Sequence, residues 1–234
     1  MITTINYKKN YIGARNKKII ELCKDKNVLH IGPCDSPFAQ EKYNGKLGPL
    51  LYRDVDLVCK NQLGIDIINE DIEFFNSKVD DFPRSKIIYF DMNNLENLDY
   101  KPDVIIFSEV IEHLMNIEIA LSNLKKIMTS DTLLIIDTPN AFYIGNFIYA
   151  LFSKEIMHNE HTVYFSYGFL QNILNYNRLS TTYEGFCYLD YHKSELSLFK
   201  RISRFIFEDI FYKFFPALAP NLFFVCKLNE NIRD

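Results

Sequence analysis

Four short apolar runs end in residues suited to holding a nucleotide. Val28-Leu29-His30-Ile31 leads into Gly32-Pro33-Cys34-Asp35, and Leu63-Gly64-Ile65 into Asp66. Tyr89-Phe90 leads into Asp91-Met92, and Ile105-Ile106-Phe107-Ser108 into Glu109. A glycine at the end of a strand lets a ligand approach the backbone closely, because no Cβ intervenes. A carboxylate at the next strand end can accept hydrogen bonds from both hydroxyls of a ribose. One at the third strand end can accept from an adenine amino group. Taken singly, each feature is ordinary: a glycine after a strand is commonly a turn, and an aspartate there commonly caps a helix. Three in order, with a fourth acidic end behind them, point to one site at the carboxyl edge of a sheet, where open α/β folds bind ligands.

Such an edge needs parallel strands joined by helices. Strand-like runs occur at 27–31, 62–66, 87–91, 103–107 and 132–137, separated by longer segments with helical periodicity or charged surfaces. Val104-Ile105-Ile106-Phe107 and Leu133-Leu134-Ile135-Ile136 are continuous apolar runs, as expected of strands covered on both faces. Helices are expected at 11–24, 141–152, 167–175 and 194–215, and two further strands at 179–189 and 221–228. In the last helix, Phe199, Ile202, Phe205, Ile206 and Ile210 share a stripe, with Lys200, Arg201, Arg204 and Lys213 off it. Packing of that stripe against the sheet is the expected use, with a homodimer contact or a membrane-surface helix as alternatives.

Composition narrows the class. The 234 residues are 48 % apolar, which suits a single α/β domain over 1–234 rather than a disordered chain. Within it, 1–25 reads as an N-terminal helix, 26–140 as the cofactor-binding core, and 141–234 as acceptor-side helices with the last two strands. Net charge is −4 and no long Lys/Arg block exists, so a nucleic-acid partner is not expected. Cys23, Cys34, Cys59, Cys187 and Cys226 are scattered and form no C-x-x-C pair, which suits free thiols in a reducing compartment. The polar N-terminus lacks a secretory h-region, and no apolar run approaches the ~20 residues of a membrane span. A cytoplasmic protein is expected.

Val28–Cys34 and Glu109-Val110-Ile111-Glu112-His113-Leu114 resemble the ends of the first and fourth strands of class I S-adenosylmethionine-dependent methyltransferases. Asp137-Thr138-Pro139-Asn140 resembles the close of that family's fifth strand. The segment His158-Asn159-Glu160-His161 with Phe165-Ser166 resembles a bacterial branch that accompanies surface-polysaccharide pathways. The resemblance spans about 11–228. It implies a Rossmann-like three-layer αβα sandwich with a mostly parallel seven-stranded sheet, its last strand antiparallel. It also implies S-adenosylmethionine as cofactor: Gly32, Cys34 and Asp35 near the methionine part, Asp66 at ribose, Asp91 and Met92 at adenine, and Glu109 toward the sulfonium. His30 stands where the family usually has Asp. Cys34 stands at a usual Gly, where a side chain is expected to narrow the approach to the cofactor.

The reaction the resemblance implies is in-line methyl displacement, in which the protein supplies orientation and electrostatics. The leading acceptor is a sugar or sugar-derived glycan precursor. A small phenolic, quinone-like or amine acceptor is the second reading, and a methyltransferase-like scaffold that has lost catalysis the third. An alcohol acceptor calls for a general base, and His161 is the first candidate and His113 the second. Tyr143, Tyr164 and Phe165 are expected to wall the acceptor pocket. His158 and His161 are spaced as a pair of metal ligands, but no third ligand is evident, so no metal is expected.

Overall fold

The computed structural model describes residues 4–191 and 197–229. Eight strands form one sheet: β1 (Tyr11–Ala14), β2 (Asn27–Ile31), β3 (Asn61–Asp66), β4 (Ser85–Tyr89), β5 (Val104–Ser108), β6 (Leu133–Pro139), β7 (Leu179–Tyr188) and β8 (Asn221–Leu228). Their order is β1-β7-β8-β6-β5-β2-β3-β4. β8 is antiparallel to both neighbours, and every other pairing is parallel.

Alternation along the central strands splits the core between two faces. Leu29, Ile31, Ile105, Phe107, Leu134 and Ile136 point one way, onto α5 (Ile117–Ile127) and α7 (Tyr167–Tyr176). Val28, Val104, Ile106 and Ile135 point the other way, onto Ile19 and Cys23 of α1 (Arg15–Cys23) and Leu51 and Val55 of α3 (Leu51–Asp56). Each such buried aliphatic side chain contributes about 1.5–3 kcal/mol, so the sandwich is fixed by its middle strands. A third cluster beneath α2 (Ala39–Tyr43) and α4 (Asn69–Asn76) gathers Cys34, Tyr52, Phe75 and Phe82 beside β4.

Two expectations are corrected. The sheet has eight strands, not seven, and the helix expected at 11–24 begins only at Arg15. Tyr11–Ala14 pairs in parallel with β7, and Asn10 O accepts from Phe186 N at 2.9 Å, so the open edge of β7 captures this segment. The second correction concerns the Phe-rich helix. Residues 194–196 lie outside the described residues. From there α8 (Leu198–Arg204) passes into a π-helical segment, Phe205–Phe211, and a final turn α9 (Tyr212–Phe214). The stripe Phe199, Ile202, Phe205, Ile206 and Ile210 faces outward, whereas Phe207, Phe211 and Tyr212 pack on the core. Among the described residues no helix is long and apolar enough to cross a membrane.

His30, where the family usually carries an acid, belongs to the core and not to the ligand edge. It is 4 % exposed, lies against Tyr52, and its Nδ1 is 3.2 Å from Gln62 Oε1. Gln62 Nε2 donates to Tyr52 O and Ser85 Oγ, which leaves Oε1 to accept from a neutral His30 with its proton on Nδ1. Burial lowers the His30 pKa from 6.5 to about 4. The unfolded chain therefore binds this proton from pH 6.5 downward while the folded chain does not until about 4. Stability is expected to fall by about 1.4 kcal/mol per pH unit within that window. Urea midpoints between pH 7 and 4 should drop less steeply in His30→Leu than in the wild type. Equal slopes would show that His30 is not the group responsible.

Candidate active site

The sheet changes direction between β2 and β5. From β2 the chain steps outward to β3 and β4, and β5 returns on the opposite side of β2. Open α/β sheets bind ligands outside the carboxyl ends of the strands at such a break, and Gly32 and Glu109 directly follow the two strands there. Gly32 has φ +68°, and its N–H donates to Ile65 O at 3.0 Å. A Cβ there would lie 3.3 Å from Val110 Cγ2, so the conformation and the crowding both call for glycine.

Asp66 ties the two strand ends together. Its Oδ2 accepts from Cys34 N at 3.2 Å and its Oδ1 from Ile67 N at 2.8 Å. Cys34 is fully buried, packed with Ala39, Leu50 and Tyr52. Its thiol as well as its backbone N–H lies beside Asp66, and burial first, then that carboxylate, push the thiol's pKa up. Asp35 has φ +54° and pairs with Lys42 Nζ at 2.9 Å. Asp91 opens a 3₁₀ turn (Met92–Asn97), its Oδ1 accepting from Asn93 N at 2.8 Å and Nδ2 at 2.9 Å. Met92 is half-buried against the main core.

Glu109 belongs to a larger charge cluster. It has φ +52°, and its Oε1 accepts from Asn221 Nδ2 at 2.6 Å and lies 3.9 Å from Arg15 Nη1. Arg15 also donates to Asp137 Oδ1 at 2.8 Å. Glu112 is buried, with Oε2 accepting from Thr138 Oγ1 at 2.9 Å. One guanidinium thus faces Glu109, Asp137 and Glu112. Glu112 Oε1 and Asp137 Oδ2 are buried without a hydrogen-bond partner. Burial first, and the neighbouring Glu112 and Asp137 second, push the Glu109 carboxyl well above its usual range. Burial likewise pushes Glu112 up to about 7. The Arg15 guanidinium is held charged by Asp137 and Glu109 against the opposing effect of burial.

The three histidines of the candidate segments converge. His113 closes the 3₁₀ turn after β5 (Ile111–His113), while His158 and His161 lie on the loop before α7. Ring centroids are 4.7 Å apart for His113 and His161, 5.0 Å for His158 and His161, and 5.9 Å for His113 and His158. Thr162 fastens the two segments: its N–H donates to Glu112 O at 2.8 Å and its Oγ1 to Leu114 O at 3.0 Å. Burial lowers the pKa of both His113 and His161, opposed at each by Glu160.

Tyr164, 6.2 Å from His161 between ring centroids, leads from the histidines to a cavity of about 920 Å³. Tyr7, Phe142, Tyr143, Phe147, Tyr164 and Ile156 line it beside α6 (Ile144–Leu151). A second cavity, about 810 Å³, lies between α6 and α8 and reaches Asn221, the partner of Glu109. Tyr143 borders both cavities. Phe165, expected in the acceptor wall, is instead fully buried, stacked on Phe169 and paired through its backbone with Asn140.

Residues 15–188 match a family described as a methyltransferase domain. The chain belongs to that family. No curated protein matches the methyltransferase in sequence. Its fold is that of solved methyltransferases of low identity. The N-methyltransferase NodS of Bradyrhizobium japonicum, in complex with S-adenosyl-L-homocysteine, aligns with TM-score 0.56 and 13 % identity over 92 % of this chain and 86 % of that one. The magnesium protoporphyrin IX methyltransferase of Synechocystis, with the same bound product, gives 0.57 and 12 % over 91 % and 81 %. An S-adenosylmethionine-dependent methyltransferase from Archaeoglobus fulgidus gives 0.54 and 20 % over 90 % of each chain.

Four residues of the methyltransferase's charge cluster escape a reading by strand ends. Glu112 and Asp137 stand inside the two motif segments, so a signal for them existed. Arg15 and Asn221 reach the site from β1–α1 and the start of β8, and no local pattern announces them.

Proposed function

We propose that this methyltransferase, with S-adenosylmethionine as methyl donor, methylates a hydroxyl oxygen of a sugar or sugar-derived precursor of a bacterial surface glycan. The observation that carries the acceptor is the lining of the larger cavity. Tyr7, Tyr143 and Tyr164 offer aromatic faces, while Asn146, Ser153, Lys154 and Glu155 offer polar groups around the same space. A pyranose presents that combination, with C–H faces to stack and hydroxyls to bind. Phe142, Phe147, Ile144 and Ile156 in the same lining favour the second reading, a phenolic or quinone-like ring.

The donor's residues fit a cationic nucleoside. Gly32 presents no side chain at the first strand end, Asp66 suits the ribose, and Asp91 with Met92 suits adenine. The sulfonium supplies an already activated methyl group. An excess of carboxylates over Arg15, with buried oxygens of Glu112 and Asp137 unpartnered, favours positive charge beside them. At the acceptor end, His161 takes the hydroxyl proton as methyl transfer proceeds, with Tyr143 and Tyr164 holding the ring.

Calorimetric titration with S-adenosylhomocysteine tests the donor site. Asp66→Ala should weaken binding by about 10–100-fold, the worth of charge-assisted hydrogen bonds to one ligand group. Circular dichroism would check that the variant folds. Absence of binding to folded wild-type protein would return the chain to the scaffold reading. A following screen of nucleotide sugars against catechols and quinols separates the two acceptors.

A further inference from the structure

His113, His158 and His161 each offer a ring nitrogen, and these atoms lie within 4.8 Å of one another. The sequence presents only the His158–His161 pair, and the fold supplies the third member from the turn after β5. The arrangement is built into the backbone. His161 N donates to His158 O at 3.1 Å, and the two Thr162 bonds clamp this loop to Glu112 and Leu114, the neighbours of His113. His161 Nδ1 is buried with no hydrogen-bond partner, an arrangement that is costly unless something else takes the lone pair or the proton. Glu160 adds negative charge alongside, with Oε2 4.0 Å from His113 Nδ1.

We propose that these three imidazoles bind one divalent transition-metal cation, with zinc the best match to three nitrogen donors. Tetrahedral zinc with Zn–N bonds of about 2.0–2.1 Å needs donor atoms roughly 3.3 Å apart. The widest separation must therefore close by about 1.5 Å, which rotation of the exposed His158 ring can supply. Three protein ligands leave a fourth position for water or an oxygen ligand, the arrangement of catalytic zinc sites. Resting on the acceptor reading above, that position is where an acceptor hydroxyl would be acidified by the cation. With the cation bound, the imidazole lone pairs are committed, so the cation lowers the hydroxyl's pKa and the proton leaves to the exposed Glu160 carboxylate or to solvent water.

The test is metal binding itself. Protein treated with a chelator and dialysed is titrated with zinc by calorimetry, and with cobalt(II) followed by visible d–d absorption. His158→Ala and His161→Ala are run in parallel, with circular dichroism to confirm folding. The expected result is one equivalent bound by the wild type, with affinity reduced about 100-fold or more in each variant. No stoichiometric binding by the wild type, or equal binding by the variants, would overturn the proposal. So would a thiolate-to-cobalt band in the near ultraviolet, since all five cysteines are buried away from these histidines. S-adenosylhomocysteine binding, measured on the same samples, reports separately on the methyl-donor reading. Metal binding without it would leave the metal site standing alone.

Discussion

Arg15→Met should lower the folding stability of this methyltransferase by about 3–5 kcal/mol, the usual cost of removing one partner from a buried ion pair. Arg15 is the cation that faces three buried or half-buried acids, and its Nη1 sits 2.8 Å from Asp137 Oδ1. Asp137 is fully buried, and its Oδ2 already lacks a partner. Without the guanidinium, Asp137 would keep a charge in a dry site or take up a proton, and either course costs free energy. The loss also has a mechanical side. Arg15 begins α1, whose next residue donates its N–H to Asp190 Oδ2 at 2.8 Å, so the same turn ties the N-terminal segment to both β6 and the end of β7. Urea denaturation measures the effect, and a double variant with Asp137→Asn separates its sources. If the unpaired charge dominates, the double variant should recover much of the loss. A single-variant cost near 1 kcal/mol would mean that water reaches Asp137 and screens it.

The same cluster shows where reading a sequence stops. β2, β5 and β8 are legible because their residues are buried on both faces or alternate cleanly, and β8 falls at 221–228 as the pattern predicts. β1 is not legible. Tyr11, Ile12 and Gly13 continue the apolar spacing of α1, and only the unpaired edge of β7 draws them into the sheet. In the Phe-rich segment, apolar residues occupy both sides of the helix, so periodicity cannot say which side meets the core. The structure places Phe207, Phe211 and Tyr212 there. Asp66, Asp91 and Glu109 were visible as strand ends. Arg15, 122 residues before Asp137 in the chain, was not, and neither was the meeting of His113 with His158 and His161. Pairwise geometry between distant segments is set by topology, which a local pattern does not encode.

His161→Ala should lower kcat by about 10²–10⁴-fold, the range for loss of a general acid or base, with S-adenosylhomocysteine affinity left unchanged. The separation of effects follows from the architecture. Most of the donor's expected contacts come from β2, β3 and the turn after β4, with Glu109 following β5, whereas His161 lies on the loop before α7, on the Tyr164 side of the cavity. A fall in both donor affinity and kcat would mean instead that His161 holds the donor site together. His158→Ala then distinguishes how His161 acts. A lone base makes the exposed His158 dispensable, because the Thr162 clamp already fixes the backbone next to His161. A shared metal ion makes the loss of His158 nearly as severe as the loss of His161, since each removes one of three ligands. Measured on the same acceptor, the ratio of the two kcat losses assigns the chemistry: near unity for the metal, and two orders of magnitude or more for the base alone.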